Sequence, residues 1–438
     1  MLPITTQTLK TILNYTQDLI DTTITFVSTD SRQINPQTLF IALVGEKFDG
    51  HDFIVDVINK GCPLVITQKE IPSVPKNQQI IVADTLKAFG QIAQYNRSLY
   101  KGTLIALTGS SGKTTTKELL KQSLSVYGKT YATSGNFNNH IGVPRSLLDL
   151  DMASSYAVIE MGMSALHEIE YLTSLASPDI AIVTNVYPMH IEFLKTLENI
   201  AIAKSEIFQG LKKDGIAIYN EDTSFTDLIK TEAKKYTSNI LSYSTKDNIL
   251  SKLNLEDNSP HYQSNALCVL KTIEALELDK ELAIPTINSF SAPEGRGKKH
   301  KLNINNRHIL MIDDSYSGQP DAMKLAIKSL GKLATNGRKI ALIGKMAELG
   351  DYSQTAHKEV GLTLKEENID IVIGICQETK DMLSVLSPTT KQYYFEDITN
   401  VANFLINELL EDNDTILIKG AHYSSKVYEI ANTLKQYA

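Results

Sequence analysis

The stretch "ALTGSSGKTTTKELL", Ala106 to Leu120, carries residue types suited to holding a polyanion. Gly109 and Gly112 enclose two serines, and Lys113 and Thr114 follow at the start of a helical pattern. The usual phosphate-binding loop reads Gly, four residues, then Gly-Lys-Ser/Thr, yet Leu107 stands where the first Gly belongs. Context resolves the mismatch. "LIALT" is an apolar strand, Gly109 to Gly112 is a turn able to take unusual dihedrals, and "KTTTKELLKQSL" opens an amphipathic helix. Backbone N–H groups at that helix start point at an anion, Lys113 adds a full charge, and Thr114 is placed to offer its hydroxyl to Mg2+. The sequence therefore predicts a shortened cradle. Further along, Glu160 ends the apolar strand "YAVIE" and His190 follows a strand in "IVTNVYPMHIEFL". Both stand at carboxyl ends of strands, where open α/β sheets bind ligands. Lys204, in "ENIAIAKSEIFQGL", falls on the next helix, a position that does not by itself distinguish it from a surface lysine.

The elements that must position these residues alternate between short apolar strands and longer helical patterns, the signature of α/β architecture. "FVSTD", "TLFIAL", "PLVIT" and "QIIVAD" are the strand candidates of the first hundred residues. "LIALT", "YAVIE", "DIAIVTN" and "GIAIYN" form a second series, apolar on both faces as buried parallel strands are. "NEDTSFTDLIKTEAKKYTSNILSYSTKDN" is the most polar stretch and is expected to be peripheral. Around "SFSAPEGRGKKHKLNINN" the apolar pattern lapses, placing a boundary near residue 300. A third series, "HILMIDDS", "RKIALIG", "IDIVIGIC" and "DTILIKG", predicts a second, smaller doubly wound sheet. The expected domains are 1–100, 101–300 and 301–438.

Composition narrows the partners. Lys and Arg number 43 against 50 Asp and Glu, a net charge of −7 with no dense basic run, so nucleic acid is not expected. The sequence contains no stretch of 18 apolar residues and no secretory pattern at "MLPITTQTLKTILNYTQDLI", which reads as a protein of the cytoplasm without membrane insertion. Cys62, Cys268 and Cys376 are few and far apart, which argues against a disulfide framework or a thiolate zinc site.

Taken together, "DSRQINPQTLFIALVGEKFDGHDF", "TGSSGKTTTKE", "GNFNNHIGVP", "IEMGMSALHEI", "TNVYPMHIEFL", "AKSEIF", "EGRG", "DDSY" and "MAELG" resemble the ATP-dependent Mur ligases of bacterial cell-wall synthesis, in family order over nearly the whole chain. The resemblance implies a small N-terminal α/β UDP-sugar domain, a central P-loop ATPase-like parallel sheet, and a C-terminal Rossmann-like domain. Among family members it favours those that add the last dipeptide, so the implied substrates are UDP-N-acetylmuramoyl-tripeptide and D-alanyl-D-alanine, with ATP and two Mg2+ ions, and the implied state is a monomer. The implied ATP-binding set is Gly109, Ser110, Ser111, Gly112, Lys113, Thr114, Thr115, Asn138, Asn139, Asn265, Arg296, Asp314 and Tyr316. Thr114 and Glu160 fall at the first metal position, His190 at the second, and Lys204 at the lysine that takes up CO2 as a carbamate. Lys113, His190 and Lys204 are thereby the implied catalytic residues, while Ser31, Arg32, Gly50 and His51 correspond to the UDP-sugar segments. The chain also departs from the family pattern. "HYQSN" carries Pro260 and Tyr262 where Gly and Asn are usual, "DDSYSGQP" replaces two asparagines with Ser317 and Gln319, and "KGAHYSSK" stands for the usual "KGS". Rival readings are an earlier-acting amino-acid ligase, a folate polyglutamate synthase, and a non-catalytic nucleotide-binding relative. The first-domain segments argue against the folate enzyme, and "MAELG" with "DDSY" favours dipeptide addition.

Overall fold

The computed structural model describes residues 1–45, 48–189, 191–255 and 258–438. It is built around three sheets. A two-residue antiparallel pairing of β1 (Ile4–Thr5) with β2 (Thr23–Ile24) precedes a parallel four-stranded sheet of β3 (Phe26–Ser28), β4 (Thr38–Ile41), β5 (Leu64–Thr67) and β6 (Gln79–Ile81) in that order. The central sheet contains β7 (Thr103–Thr108), β8 (Thr130–Ala132), β9 (Tyr156–Glu160), β10 (Ile180–Val183), β11 (Ile216–Asn220) and β12 (Ile240–Tyr243). All its pairings are parallel, in the order β12-β11-β10-β7-β9-β8. The third sheet contains β13 (Lys298–Ile304), β14 (Arg307–Asp314), β15 (Lys339–Gly344), β16 (Ile371–Ile375), β17 (Lys391–Phe395) and β18 (Thr415–Lys419). Its order is β13-β14-β18-β15-β16-β17, with only the β13–β14 pair antiparallel. It has as many strands as the central sheet, so the expectation of a smaller one is corrected.

The alternation of side chains along a strand explains the layering. In β7, Leu104 and Ala106 enter one core while Ile105 and Leu107 enter the core on the opposite face. In the third sheet Ile340 and Leu342 likewise oppose Ala341 and Ile343. Both large sheets are thus covered by helices on two faces, as apolar parallel strands require.

The first core is continuous from Ile4 into the central sheet, and the helix Thr85–Leu99 carries that continuity. Its start is capped by Asp84, whose carboxylate accepts from the Lys87 N–H at 3.0 Å. Its end is fixed by polar bonds: Asn96 donates to the Leu147 carbonyl at 2.7 Å, and buried Arg97 donates to the Ala176 carbonyl at 2.6 Å. Among the described residues no helix is long and apolar enough to cross a membrane.

Candidate active site

The central sheet reverses its winding direction at β7, because β9 pairs on one side of it and β10 on the other. The loop after β7 therefore opens between the loops after β9 and β10, at the crevice where doubly wound sheets bind ligands. Gly109 enters this loop so close to Thr184 that a Cβ there would lie 1.8 Å from the Thr184 Oγ1. Gly112 takes a left-handed φ of 73° and caps the helix Lys113–Leu124. Asn185 holds the turn between them. Its carbonyl accepts from the Ser110 N–H at 3.1 Å, its Oδ1 accepts from the Ser111 N–H at 2.8 Å, and its Nδ2 donates to the Ser111 carbonyl at 3.0 Å. Ser110 adds a pair with Tyr187, donating to its carbonyl and accepting from its N–H. Lys113 folds back to donate to the Gly109 carbonyl at 2.7 Å.

This loop forms one side of a cavity of about 740 Å3. Ser110 through Thr115, Asn138, Glu160 and Asn265 line it from the central unit, and Asp314, Tyr316 and Lys419 from the third sheet. Arg296, from the connecting segment, also lines it and stacks its guanidinium 3.9 Å from the centre of the Tyr316 ring. Asp314 pairs with buried Lys419 at 2.6 Å. Asn265 accepts from the Thr116 hydroxyl at 3.1 Å, which sets its amide against the loop glycine.

Glu160 is only 1% exposed. Its Oε1 accepts from Asn138 Nδ2 at 2.8 Å, whereas among the described residues Oε2 has no hydrogen-bond partner and lies 3.8 Å from the ammonium of buried Lys117. A buried carboxylate oxygen without a donor among the described residues is a suitable oxygen ligand for a hard cation in the cavity, which Thr114 also lines. Lys204 is 2% exposed, and among the described residues no carboxylate pairs with it. Burial drives its pKa well below the ordinary lysine value, and the charge of Lys113 pushes it further down. Burial also lowers Lys113, to about 8, with Glu160 opposing the shift and Arg296 reinforcing it.

The remaining predicted residues divide. Asn139 does not line the cavity. Its Oδ1 accepts from the Ile141 and Gly142 N–H groups at 3.1 and 2.9 Å and starts the helix Gly142–Leu148. Ser31 and Arg32 follow β3, and Gly50 and His51 follow β4, so the four share the carboxyl edge of the first sheet, away from the cavity. Arg32 is exposed and grips Asp30 through two bonds of 2.9 and 2.8 Å, which holds the Asp30 carboxyl down at about 2. Both ring nitrogens of His51 are engaged within the protein, Nδ1 with Asp49 at 2.5 Å and Nε2 with the Gln68 N–H at 3.0 Å. His190 lies outside the described residues. Sequence reasoning missed Asn185, Lys117 and Lys419 as site-building residues, although Asn185 stands in "TNVYPMH" and Lys117 in "TGSSGKTTTKE".

Comparison with known proteins decides the family. The Mur ligase family, catalytic domain matches residues 23–97, the Mur ligase middle domain 107–286, and the Mur ligase, glutamate ligase domain 300–422. The chain belongs to the Mur ligase family. This Mur ligase is 34% identical over 436 residues to the UDP-N-acetylmuramoyl-tripeptide--D-alanyl-D-alanine ligase of Buchnera aphidicola subsp. Baizongia pistaciae, covering 94% of this chain and 92% of the relative. It is 34% identical over 365 residues to the ligase of the same description from Bacillus subtilis, covering 79% of each. It superposes on a crystal structure of MurF from Acinetobacter baumannii with a TM-score of 0.88 and 29% identity, covering 100% of this chain and 99% of that one. The Mur ligase fold therefore extends over all three sheets.

Proposed function

We propose that the chain is an ATP-dependent, ADP-forming ligase that joins D-alanyl-D-alanine to UDP-N-acetylmuramoyl-tripeptide, the last cytoplasmic step of the UDP-linked pentapeptide precursor of peptidoglycan. The observation that carries this reading is the gathering of the Ser110–Thr115 loop and Glu160 at the carboxyl edge of one sheet, facing Arg296, Asp314 and Tyr316 across the cavity, with buried Lys204 near enough for the charge of Lys113 to act on it. Relatives described by that activity align with most of the chain. In this reading residues 1–100 hold the UDP-sugar through Ser31, Arg32, Gly50 and His51, residues 101–300 hold ATP, and residues 301–438 bring the dipeptide.

A carboxylate in water is a poor acyl donor because its oxygen leaves badly. ATP solves this. One carboxylate oxygen of the tripeptide bonds to the γ-phosphorus as the β–γ bridge bond breaks, giving an acyl phosphate and ADP. Lys113 and the N–H groups at the helix start hold the phosphates and take up charge in that step. The amine of D-alanyl-D-alanine then bonds to the acyl carbon, and phosphate and one proton leave. Arg296 steadies the phosphates from the connecting segment, and closure of the third unit over the cavity excludes water that would hydrolyse the acyl phosphate.

Thr114 and Glu160 are suited to hold a first Mg2+, and by resemblance His190 serves a second. Bound there, the ion neutralises phosphate charge and polarises the transferring group. Lys204 serves the same site as a carbamate. A neutral amine combines with CO2 and releases one proton, and the resulting anion offers oxygen where an ammonium would repel a cation. Phosphate release from ATP, measured with UDP-tripeptide in the presence and absence of D-alanyl-D-alanine, tests the assignment. Turnover that depends on both is expected, and turnover indifferent to the dipeptide would refute it.

A further inference from the structure

Arg296 sits between two glycines with left-handed backbones, Gly295 at φ 70° and Gly297 at φ 95°. Such a Gly-Arg-Gly segment has little intrinsic reason to hold one conformation. Yet its guanidinium is stacked on Tyr316 and directed at the cavity. The local bonds are few: Arg296 N–H to the Pro293 carbonyl at 3.0 Å, Gly297 N–H to the Asp313 carbonyl at 2.8 Å, and Tyr316 N–H to the Gly295 carbonyl at 3.0 Å.

A second restraint comes from far along the chain. The ammonium of Lys435, in the helical turn Lys435–Tyr437, lies 2.8 Å from Glu294 Oε2 and 2.6 Å from Asp313 Oδ2. Glu294 enters the Gly-Arg-Gly segment, and Asp313 is the residue whose carbonyl receives Gly297 at its exit. One ammonium therefore ties both ends of the loop. Asp313 is 1% exposed, and its other oxygen accepts from the Ser315 hydroxyl at 2.5 Å. Glu294 also meets Lys298 at 2.6 Å and His300 at 3.2 Å. Glu294, His300 and Asp313 have the types and spacing of a cation site, but Lys435 already supplies the positive charge between the two carboxylates. The pairing is reflected in Glu294, whose carboxyl is held at about 2: burial raises it, and Lys298 and Lys435 more than offset that.

We propose that Lys435 is a positioning residue for Arg296: by bridging Glu294 and Asp313 it fixes the loop that directs the guanidinium to the ATP phosphates. This rests on the phosphate role given to Arg296 above, and it adds a determinant more than a hundred residues away in sequence. No side-chain atom of Lys435 needs to touch substrate for it to act.

The test compares Lys435→Met, Lys435→Arg, Arg296→Ala and the double variant Lys435→Met/Arg296→Ala in the full chain. Measured quantities are KM for ATP, KM for UDP-tripeptide and for D-alanyl-D-alanine, kcat, and Tm. Lys435→Met should raise KM for ATP roughly five- to tenfold, the scale of a contact coupled to a binding site, with the other two KM values changed less than about twofold. Lys435→Arg should restore the value, and the double variant should be no worse than Arg296→Ala alone. Equal loss from Lys435→Met in both backgrounds, or a uniform change in all three KM values, would overturn the proposal while leaving the ligase reading intact. An Arg296→Ala variant with unchanged KM for ATP would overturn both the phosphate role and the proposal. Should Lys435→Met fail to fold, Glu294→Gln removes one arm of the bridge, leaves Lys435 paired with Asp313, and is expected to raise KM for ATP in the same selective way.

Discussion

Gly109→Ala is the sharpest perturbation of the phosphate cradle. The added Cβ would lie 1.8 Å from Thr184 Oγ1, 3.1 Å from Thr184 Cβ and 3.3 Å from the Asn185 N. The first contact falls roughly 1.7 Å short of the 3.5 Å optimum for non-bonded atoms. Rotation of Thr184 removes that clash at the expense of its 3.3 Å bond to the Ser111 carbonyl, but the contacts to Thr184 Cβ and to the Asn185 backbone remain. Asn185 is then displaced, and with it the acceptors for the Ser110 and Ser111 N–H groups. Overpacking of this kind costs about 1–3 kcal/mol. Falling on the ATP-competent loop, that corresponds to roughly a five- to 150-fold rise in KM for ATP. The assay is ATP titration at saturating UDP-tripeptide and dipeptide, alongside Tm. Gly109→Ala/Thr184→Ala should recover most of the loss but not all, because the 3.1 Å contact to the residue-184 Cβ persists. A Gly109→Ala enzyme with wild-type KM for ATP, or a double variant showing no recovery, would refute the steric argument.

Lys204→Met should separate stability from activity. It removes a buried amine whose pKa is depressed and with which no carboxylate pairs among the described residues, a penalty felt below the ordinary lysine value near 10.4. Tm at pH 7 should therefore rise while turnover falls by about 100-fold or more; a less stable or still active variant contradicts the reading. Lys204→Ala should be inactive but partly restored by a short carboxylate that supplies the missing oxygens, and failure of every such anion would count against the carbamate. His357 is buried and neutral, donating from Nδ1 to the Ser353 carbonyl at 2.8 Å and accepting at Nε2 from the Met346 N–H at 3.2 Å. Burial lowers its pKa, so the unfolded chain takes up a proton that the folded one refuses. Stability should fall as pH drops through about 6.5, with a slope of at most about 1.4 kcal/mol per pH unit. His357→Gln, which keeps an acceptor without titrating, should flatten that part of the denaturation profile; an unchanged slope would locate the titration elsewhere.

The strands that pattern reasoning found in the two large sheets are the inner ones, such as "LIALT" and "RKIALIG", whose residues are almost all buried. Those it missed, β8, β12, β13 and β17, are the four sheet edges. An edge strand is half solvated, so its apolar content drops: Lys391–Phe395 has no fully buried residue, and Lys298–Ile304 begins with four lysine or histidine-rich exposed or half-exposed positions. The candidate site was legible where function dictates residue type in sequence, at Gly109, Lys113 and Glu160. It was not legible where a residue acts by position. Asn185 organises the loop from a neighbouring strand, and Lys419 serves Asp314 from 105 residues away. Lys204 lies on a helix whose residues 200, 201, 203, 204 and 205 are all buried, so its polarity, read as exposure by periodicity, is misleading.

What distinguishes Lys204 from Lys113 for the proposed carbamate is the sign of their surroundings. Both ammonium groups are taken out of water, and each loss of hydration favours the neutral amine. Lys113 has Glu160 to oppose that loss, so its pKa stops at about 8 and it remains largely protonated at neutral pH, as a phosphate-holding residue must. Among the described residues no carboxylate offsets that loss for Lys204, and the charge that Lys113 retains acts on it as a further repulsion. The two lysines are therefore coupled: holding one proton on Lys113 helps to keep it off Lys204. Only the neutral amine has the lone pair that can bond to CO2, and the anion formed would reverse the local field from repulsive to attractive for both Lys113 and a metal ion at Glu160. A single buried site can in this way keep one lysine as a cation and convert its neighbour into an oxygen ligand, without any difference in residue type between them.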